Sequence, residues 1–279
     1  MNIVLTGHRG LIGSFLKKRL EKEGHKIVLS VDLREGNDVK DLEDYLIEDK
    51  VDMVIHCAAF CKINKTITEP SIGFRNAEDT FSVLEFCRKN NIKKIMYFSS
   101  SRVLSDDKNP YTAGKFFGEE LCKSYKECYG IDYLIIRPST VYGPFLDKTN
   151  RLINIFINSA LRNEDLKIFG DPETKTLDFT YVDDFVEGII LTLEGNWNKE
   201  YNISGGQETN IYDLAKFIIN ETGSDSKILI LDKEIAQPQK INVDISEIQK
   251  LGYNPKISLW EGVRKNIEFL KNIIPSQSS

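Results

Sequence analysis

Apolar and polar positions follow two rhythms through the first half of the chain, with short β-branched runs between longer segments of helical periodicity. Uninterrupted apolar runs such as Tyr133–Ile136 are typical of strands buried on both faces. Strands that alternate with helices build a parallel sheet covered by helices on both sides. The predicted strands are 3–6, 27–31, 51–56, 95–99 and 133–136, and the predicted helices are 11–23, 39–48, 76–89 and 111–129. We therefore predict an α/β fold with a Rossmann doubly wound parallel sheet.

The rhythm changes after about Pro144, where the connections become longer and less regular. The stretch DLKIFGDPETKTLDFTYVDD, residues 165–184, predicts two short strands joined by a polar turn. Further helices are predicted over 183–193, 211–222 and 259–271. We predict a dinucleotide-binding domain over residues 1–145 and a smaller C-terminal α/β substrate lobe over residues 146–279, with segments near 179–205 returning to the first domain.

Composition narrows the classes of function. The formal net charge is −5 and no basic block is present, so nothing favours binding to nucleic acid or to an anionic membrane. The sequence shows no run of about 18 apolar residues and no secretory leader pattern, and we expect a cytoplasmic location. The five cysteines mostly stand in apolar segments and lack the spacing of metal or redox pairs, so we predict buried free thiols and no metal site. These cysteines are Cys57, Cys61, Cys87, Cys122 and Cys128.

Three glycines, Gly7, Gly10 and Gly13, stand between the first predicted strand and the first predicted helix. Gly7 would allow a sharp turn, and Gly10 would let a pyrophosphate approach the backbone. Gly13 would let the helix pack closely on the strand. The helix N-terminus would offer N–H groups to the phosphates. The turn therefore predicts a dinucleotide site.

The end of the second predicted strand suggests which dinucleotide binds. Asp32 follows Gly13 by nineteen residues, and a carboxylate there can accept hydrogen bonds from both ribose hydroxyls while repelling a 2′-phosphate. NAD is therefore the predicted cofactor. Arg9 and Arg34 keep NADP open as the less favoured alternative, because either side chain could reach a 2′-phosphate.

The segment YTAGK places Tyr111 and Lys115 four residues apart, on one face of a predicted helix. A lysine one turn away should lower the pKa of the tyrosine, so that the phenol exchanges a proton with a sugar or alcohol hydroxyl during hydride transfer. The serines of FSSS, residues 98–101, follow a parallel strand, where ligands bind in such sheets. The alternative is structural: a salt-bridge face for Lys115 and a polar strand end for the serines.

Taken together, these motifs resemble the extended short-chain dehydrogenase/reductase family, in its NAD-dependent epimerase/dehydratase branch, which includes the UDP-glucose 4-epimerases. The likeness covers nearly the whole chain. It rests on TGHRGLIG at 6–13, VDL at 31–33, HCAA at 56–59, Asn76 in FRNAEDT, FSSS at 98–101, YTAGK at 111–115, RPSTVYGP at 137–144, FTYVDD at 179–184 and YNISGG at 201–206.

The resemblance implies roles for further residues. Leu11 and Ile12 would lie against the pyrophosphate, and Asp38 with Val39 would flank the adenine. Residues 56–60 would line the nicotinamide-side ribose, with Asn76 bracing their loop. The predicted cofactor-binding set is Gly7, Arg9, Gly10, Leu11, Ile12, Gly13, Asp32, Leu33, Asp38, Val39, Cys57, Ala58, Ala59, Phe60, Asn76, Ser99, Tyr111, Lys115, Pro138 and Ser139.

The same resemblance implies a catalytic set of Ser100, Tyr111 and Lys115. Family members place the catalytic hydroxyl three residues before a Val-Tyr pair, and Val103-Leu104 occupies that place here. This spacing selects Ser100 and leaves Ser101 as the alternative.

The chain departs from the family pattern on the substrate side. The dehydratases carry an Asp-Glu pair where this chain has Ser101-Arg102, and only ten residues separate Ser100 from Tyr111, which indicates a trimmed loop. Thr140 replaces an asparagine, and Leu177 replaces an arginine that commonly grips the substrate diphosphate. Lys175 and Lys240 are candidates for the missing cation. The predicted substrate-binding set is Ser100, Ser101, Thr140, Lys175, Leu177 and Lys240.

By this resemblance we expect a nucleotide-sugar epimerase that acts on a sugar hydroxyl with Tyr111 as acid/base. One alternative is an NAD(P)-dependent sugar or carbonyl dehydrogenase/reductase, since the GHRG turn at 7–10 resembles that of the GDP-fucose synthase group. Another is a non-catalytic NAD-binding protein.

Many relatives form homodimers through the two helices predicted at 76–89 and 111–129. Phe116, Phe117, Leu121 and Tyr125 could supply that contact, although a stripe at this spacing is also typical of plain core. A homodimer is the expected assembly.

Overall fold

The computed structural model describes residues 1–146 and 151–273. Residues 147–150 and 274–279, which belong to the predicted substrate lobe, lie outside this range. The strands are β1 (Asn2–Thr6), β2 (Lys26–Val31), β3 (Met53–His56), β4 (Lys94–Phe98), β5 (Asp132–Pro138), β6 (Thr140–Tyr142), β7 (Leu166–Phe169), β8 (Thr176–Tyr181), β9 (Lys199–Ile203), β10 (Glu208–Asn210) and β11 (Ile228–Leu231). The α-helices are α1 (Leu11–Lys22), α2 (Ile63–Thr68), α3 (Pro70–Lys89), α4 (Pro110–Tyr129), α5 (Leu152–Leu161), α6 (Val182–Glu194), α7 (Ile211–Thr222), α8 (Ser246–Gln249) and α9 (Leu259–Ile273).

A six-stranded parallel sheet in the order β2-β1-β3-β4-β5-β9 forms the centre of the molecule. Successive residues of a strand point to opposite faces, and both faces are buried: Ile3 and Leu5 enter one hydrophobic cluster, and Val4 enters another. The strands are therefore apolar without alternation, and helices cover both sides. The predicted doubly wound α/β fold is confirmed.

The C-terminal part contributes both to this sheet and to a separate core. Strand β9 joins the central sheet beside β5, and α6 packs its apolar side on the same cluster as β1. A third hydrophobic cluster lies among α5, α7 and α9 with the small sheets β10-β8-β6 and β11-β7. The domain boundaries drawn from the sequence stay a prediction.

The two strands predicted within residues 165–184 exist, but they do not pair with each other. Strand β7 pairs with β11, whereas β8 lies between β10 and β6. Asp171 holds the turn between them through hydrogen bonds from Glu173 and Thr174. The sequence indicated the strands and the turn, but the pairing partners come from distant segments.

Three other local predictions need correction. The helix predicted at 39–48 is a 3-10 segment, Val39–Asp44. Helix α3 begins at Pro70 rather than residue 76, because proline is well suited to a first helical turn. Cysteine burial is also only partly right, since Cys61 and Cys128 are exposed while Cys87 and Cys122 are buried.

Helix α4 is closely defined at both ends. Asn109 and Thr112 form a reciprocal capping box around Pro110, and Gly130 ends the helix in the left-handed conformation. Tyr111 and Lys115 therefore lie in its first two turns. In the part of the chain that the structure describes, no helix has both the length and the apolar character needed to span a bilayer.

Candidate active site

The predicted site residues gather at one edge of the central sheet. Gly7 follows β1, Asp32 follows β2, residues 57–60 follow β3, and Ser99 and Ser100 follow β4. All four strands are parallel, so their carboxyl ends meet at the same edge. This is where ligands bind in open α/β sheets.

The turn from β1 to α1 is packed so tightly that it excludes side chains. Gly7 has a φ of +75°, and a Cβ there would lie 2.6 Å from the Ala58 nitrogen. A Cβ on Gly13 would lie 2.2 Å from the Gly7 carbonyl oxygen. On Gly10 the contact would be 3.3 Å, again to the Gly7 oxygen, and no side chain caps the N-terminus of α1. The helix end is therefore suited to an anion that approaches the bare backbone.

Asp32 is almost fully buried beside this turn. One carboxylate oxygen accepts the Arg9 backbone N–H at 2.9 Å, and the other accepts that of Arg34 at 2.9 Å. Glu35 lies at the same rim, 3.1 Å from His8 and 3.5 Å from the Arg9 guanidinium. The side chain of Arg34 donates to the Arg9 carbonyl oxygen.

The residues implied for the adenine differ in exposure. The Asp38 carboxylate is paired with Arg75, which also donates to Asp79 at 2.9 Å. Val39 is buried in the cluster that covers one face of the sheet, and Leu33 is exposed. The contacts of Asp38 and Val39 with the adenine, and of Leu33 with the cofactor, stay predictions.

The loop after β3 is braced from α3. Asn76 accepts the Phe60 N–H at 2.8 Å and donates to the Phe60 carbonyl at 3.1 Å. Beneath the loop, His56 contacts the hydroxyls of Thr6 at 2.8 Å and Thr80 at 3.5 Å. Burial lowers the pKa of His56 to about 3, and the charge of Lys115 acts in the same direction. His56 is therefore a neutral structural group at physiological pH.

Ser100, Tyr111 and Lys115 are all buried at this edge. Burial raises the pKa of the Tyr111 phenol, while the neighbouring Ser100 hydroxyl and the positive charges of Arg102 and Arg151 act to lower it. The Lys115 ammonium donates to the Phe98 carbonyl at 2.7 Å and lies over the Tyr97 ring. The pKa of Tyr111 is therefore raised on balance in this structure, and the lowering effect of Lys115 stays a prediction.

Two further serines of the predicted site are engaged by protein groups. Ser99 donates to the fully buried Glu119 at 2.5 Å, and Arg137 forms a two-pronged pair with the same carboxylate. Ser139, after Pro138, shares a 2.5 Å hydrogen bond with Thr180. Both hydroxyls thus support the floor of the site, and their predicted cofactor contacts are not tested.

A small pocket opens beside Ser100. Thr140 and Leu177, both predicted to contact substrate, lie in its wall. The lining residues are Ser100, Ser101, Arg102, Ser139, Thr140, Leu177, Asp178, Ile241 and Val243.

The two lysines offered as replacements for the missing cation do not line this pocket. The Lys175 ammonium donates to the Phe169 carbonyl at 2.5 Å, and Lys240 pairs with Glu208 at 2.9 Å on the surface. The cation in the pocket wall is Arg102, which was not predicted from the sequence as a site residue. Its signal was present as the Ser101-Arg102 departure, which had been considered only for its effect on dehydration.

An irregular segment, residues 232–245, was also not predicted from the sequence, and we call it the strap. Gln237 accepts a hydrogen bond from Arg102 at 2.9 Å and donates to Asn64 at 2.8 Å. Asn109 donates to the Ala236 carbonyl at 3.0 Å. On the other side, Gln239 accepts the Thr176 backbone N–H at 2.9 Å. The strap therefore joins the start of α4 to the substrate-side sheet.

Comparisons with known proteins agree with this architecture. The sequence pattern of the NAD dependent epimerase/dehydratase family matches residues 3–204. A protein of Methanocaldococcus jannaschii, provisionally named a UDP-glucose 4-epimerase, is 31% identical over 97% of this chain and 98% of its own. The UDP-glucose 4-epimerase of Mycolicibacterium smegmatis is 27% identical over 98% of this chain and 99% of its own.

A solved structure is similarly close. The UDP-glucose 4-epimerase of Thermotoga maritima, determined with UDP-glucose, superimposes with a TM-score of 0.90 at 26% identity, over 98% of this chain and 99% of that one. The predicted family, and with it the prediction of an enzyme, is confirmed. On its sequence and its fold, the chain belongs to the NAD-dependent epimerase/dehydratase family.

Proposed function

We propose that the protein is an NAD-dependent nucleotide-sugar 4-epimerase. The observation that carries the proposal is the buried Tyr111 phenol, which lies within interaction distance of Ser100 at the carboxyl edge of the sheet. The glycine turn lies at this same edge. The residues that would bind the cofactor and those that would act on the substrate therefore share one cleft. The similarity to UDP-glucose 4-epimerases over nearly the whole chain supports this reading.

The residues around the turn fit a dinucleotide. A Cβ at Gly7 or Gly13 would collide with backbone, and the uncapped start of α1 at Gly10 presents N–H groups to a pyrophosphate. Each Asp32 oxygen receives a single backbone N–H and retains a lone pair for a ribose hydroxyl. These groups would hold NAD.

The same rim favours NAD over NADP. Two carboxylates, Asp32 and Glu35, lie where a 2′-phosphate would be accommodated. Arg9 is engaged by Glu35 at 3.5 Å, and Arg34 by the Arg9 carbonyl oxygen. The arginines that left NADP open are thus occupied by protein partners.

Tyr111 would act as base and then as acid on one substrate hydroxyl. It would remove the proton as the carbon is oxidised and return the proton when the carbon is reduced, while Ser100 hydrogen-bonds the same oxygen. When bound, NAD supplies the hydride acceptor and donor, and its positively charged ring lowers the pKa of a neighbouring phenol. Arg102 and Arg151 act on the phenol in the same direction.

Dehydration lacks its catalytic groups. Elimination of water needs an acid and a base next to the sugar, and Ser101 and Arg102 replace the acidic pair of the dehydratases. Arginine remains protonated at physiological pH and cannot serve as the base. This supports epimerisation over dehydration.

We also propose a homodimer through α3 and α4. These helices pack against each other, and they carry large apolar side chains that face solvent in the isolated chain. Phe74 is 63% exposed, Phe81 49%, and Phe116 and Phe117 52% each. An exposed aromatic patch of this kind is typical of an interaction surface. Tyr125, by contrast, is buried in the chain's own core.

The function is tested by supplying UDP-, GDP- and dTDP-sugars to the purified full-length chain. We expect one sugar to be converted to its 4-epimer with NAD in catalytic amount and no net change in absorbance at the nicotinamide band. Stoichiometric formation or consumption of reduced cofactor would instead identify a net dehydrogenase or reductase. Size-exclusion chromatography with light scattering of wild type and Phe81→Ser tests the dimer, which the variant should weaken.

A further inference from the structure

Arg102 stands between the catalytic serine and the substrate pocket. Its backbone N–H donates to the Ser100 hydroxyl at 3.2 Å. This hydrogen bond holds Arg102 close to the side chain that, in the proposed function, contacts the reacting oxygen. Arg102 lines the pocket together with Leu177 and Thr140. Arg102 also acts electrostatically on Tyr111. The guanidinium therefore belongs to the substrate side of the active site.

The guanidinium has no anionic partner within the described residues. Its hydrogen bond goes from Nη1 to the neutral Gln237 amide oxygen at 2.9 Å, and no described carboxylate lies within ion-pair distance. Glu234 exerts a weaker influence from nearby, and its carboxylate accepts from Asn64 at 2.6 Å. Burial lowers the pKa of Arg102, yet arginine stays charged. A sheltered guanidinium with a neutral partner is costly unless an anion completes it.

The remaining lining of the pocket does not supply that anion. Asp178 is its carboxylate, but one oxygen accepts from the Ser204 hydroxyl and the other from the Gly205 N–H, both at 3.0 Å. Ser101 and Thr140 add hydroxyl groups to the wall. A pocket with a guanidinium, hydroxyls and an internally satisfied carboxylate is suited to an oxyanion from outside the protein.

We propose that Arg102 binds an anionic pair of substrate oxygens, from a phosphate or a carboxylate, and so determines specificity. This rests on the proposed function only in treating the pocket as the substrate site. The guanidinium would replace the positive charge that is missing at Leu177. It would do so from the end of β4, whereas Leu177 lies in β8. Its geometry allows two parallel N–H···O bonds, so arginine should be stronger here than lysine.

The test is calorimetric titration of the NAD-loaded, full-length chain with UDP-glucose and with UDP-glucuronate. The variants are Arg102→Gln, Arg102→Lys and the control Arg264→Gln, whose side chain pairs with Glu221 on the surface. We expect Arg102→Gln to weaken binding about 10- to 100-fold, Arg102→Lys to weaken it less, and the control to stay within about twofold of wild type. If Arg102→Gln does not fold, the Lys variant carries the same comparison.

The two probes separate the two sources of the anion. Equal losses for both would assign Arg102 to the diphosphate, and a loss confined to UDP-glucuronate would assign it to a sugar carboxylate. Unchanged affinity of the variants, or failure of the wild type to bind either probe, would overturn the inference. Because binding is measured without turnover, the absence of epimerisation would refute the proposed function and leave this result standing.

Discussion

The glycine turn at residues 7–13 and the pocket around Arg102 are built by opposite means. The turn is defined by backbone atoms, with Gly7 and Gly13 packed against each other and against Ala58. The pocket is assembled from side chains, and its Arg102 to Gln237 hydrogen bond joins residues 135 positions apart. If the proposed function is right, backbone atoms bind the cofactor that the whole family shares, and replaceable side chains bind the particular substrate.

The largest effect should come from Gly13→Ala in the turn. The added Cβ would meet the Gly7 oxygen at 2.2 Å, so we expect a loss of about 3 kcal/mol in the free energy of unfolding together with loss of NAD binding. Gly24→Ala is the control for the steric contact, because a Cβ on Gly24 would face open space although its φ is positive, and it should cost about 1 kcal/mol. Denaturant unfolding and NAD titration measure both. If the Gly13→Ala protein were as stable as the control and bound NAD with wild-type affinity, the claim that close backbone packing defines the turn would be contradicted.

A pH experiment tests the buried His56, which lies beneath the loop after β3. The pKa of His56 is about 3 in the folded chain against an ordinary 6.5. Between these values the unfolded chain binds a proton that the folded chain does not, so His56 makes stability fall as the pH is lowered below 6.5. From pH 7 to pH 5 this amounts to about 2 kcal/mol. His56→Gln should lose correspondingly less stability over that interval, whereas the partly exposed His25→Gln should follow the wild type. Equal pH dependence in all three would contradict the burial of His56.

On the substrate side, Gln237→Ala should have a moderate effect. It removes the hydrogen-bonding partner of the Arg102 guanidinium and the link to Asn64, which we expect to cost about 1 to 2 kcal/mol in stability. It should also raise KM for the sugar substrate several-fold with a smaller change in kcat. Gln207→Ala, at an exposed position, is the matched control. If the two variants behave alike, the strap plays no part in the substrate side of the site.

The smallest effect is expected for Lys240→Gln. The Lys240 to Glu208 pair is exposed, and such pairs contribute less than about 1 kcal/mol. KM should match that of the wild type within experimental error. A rise in KM comparable to that of Arg102→Gln would instead support the sequence-based prediction that Lys240 is the cation that binds the substrate.

The sequence predicted the parts of the molecule that depend on local chemistry. The alternation of strand and helix patterns predicted the central sheet. The spacing of Gly7 and Gly13 predicted the turn, and the structure shows that a side chain at either position would collide with backbone. The Tyr111 and Lys115 pair was placed on one helix face by its four-residue spacing, and α4 holds both.

The sequence was a poor guide wherever distant segments meet. Nothing near β7 shows that it pairs with β11, and nothing near Arg102 shows that Gln237 will be its partner. The pKa of Tyr111 also depends on burial and on Arg102 and Arg151, and helical spacing alone does not show these neighbours. Such features require the full set of neighbours in space.

The most direct test of the account is the turnover of Tyr111→Phe on the sugar nucleotide that the wild type epimerises, with Tyr129→Phe, an exposed tyrosine on the same helix, as control. Removal of the phenolic hydroxyl should lower kcat by about 100- to 10,000-fold while NAD affinity stays unchanged, and the control should retain full activity. A Tyr111→Phe protein that turns over within a few-fold of wild type would contradict the assignment of Tyr111 as the acid/base group.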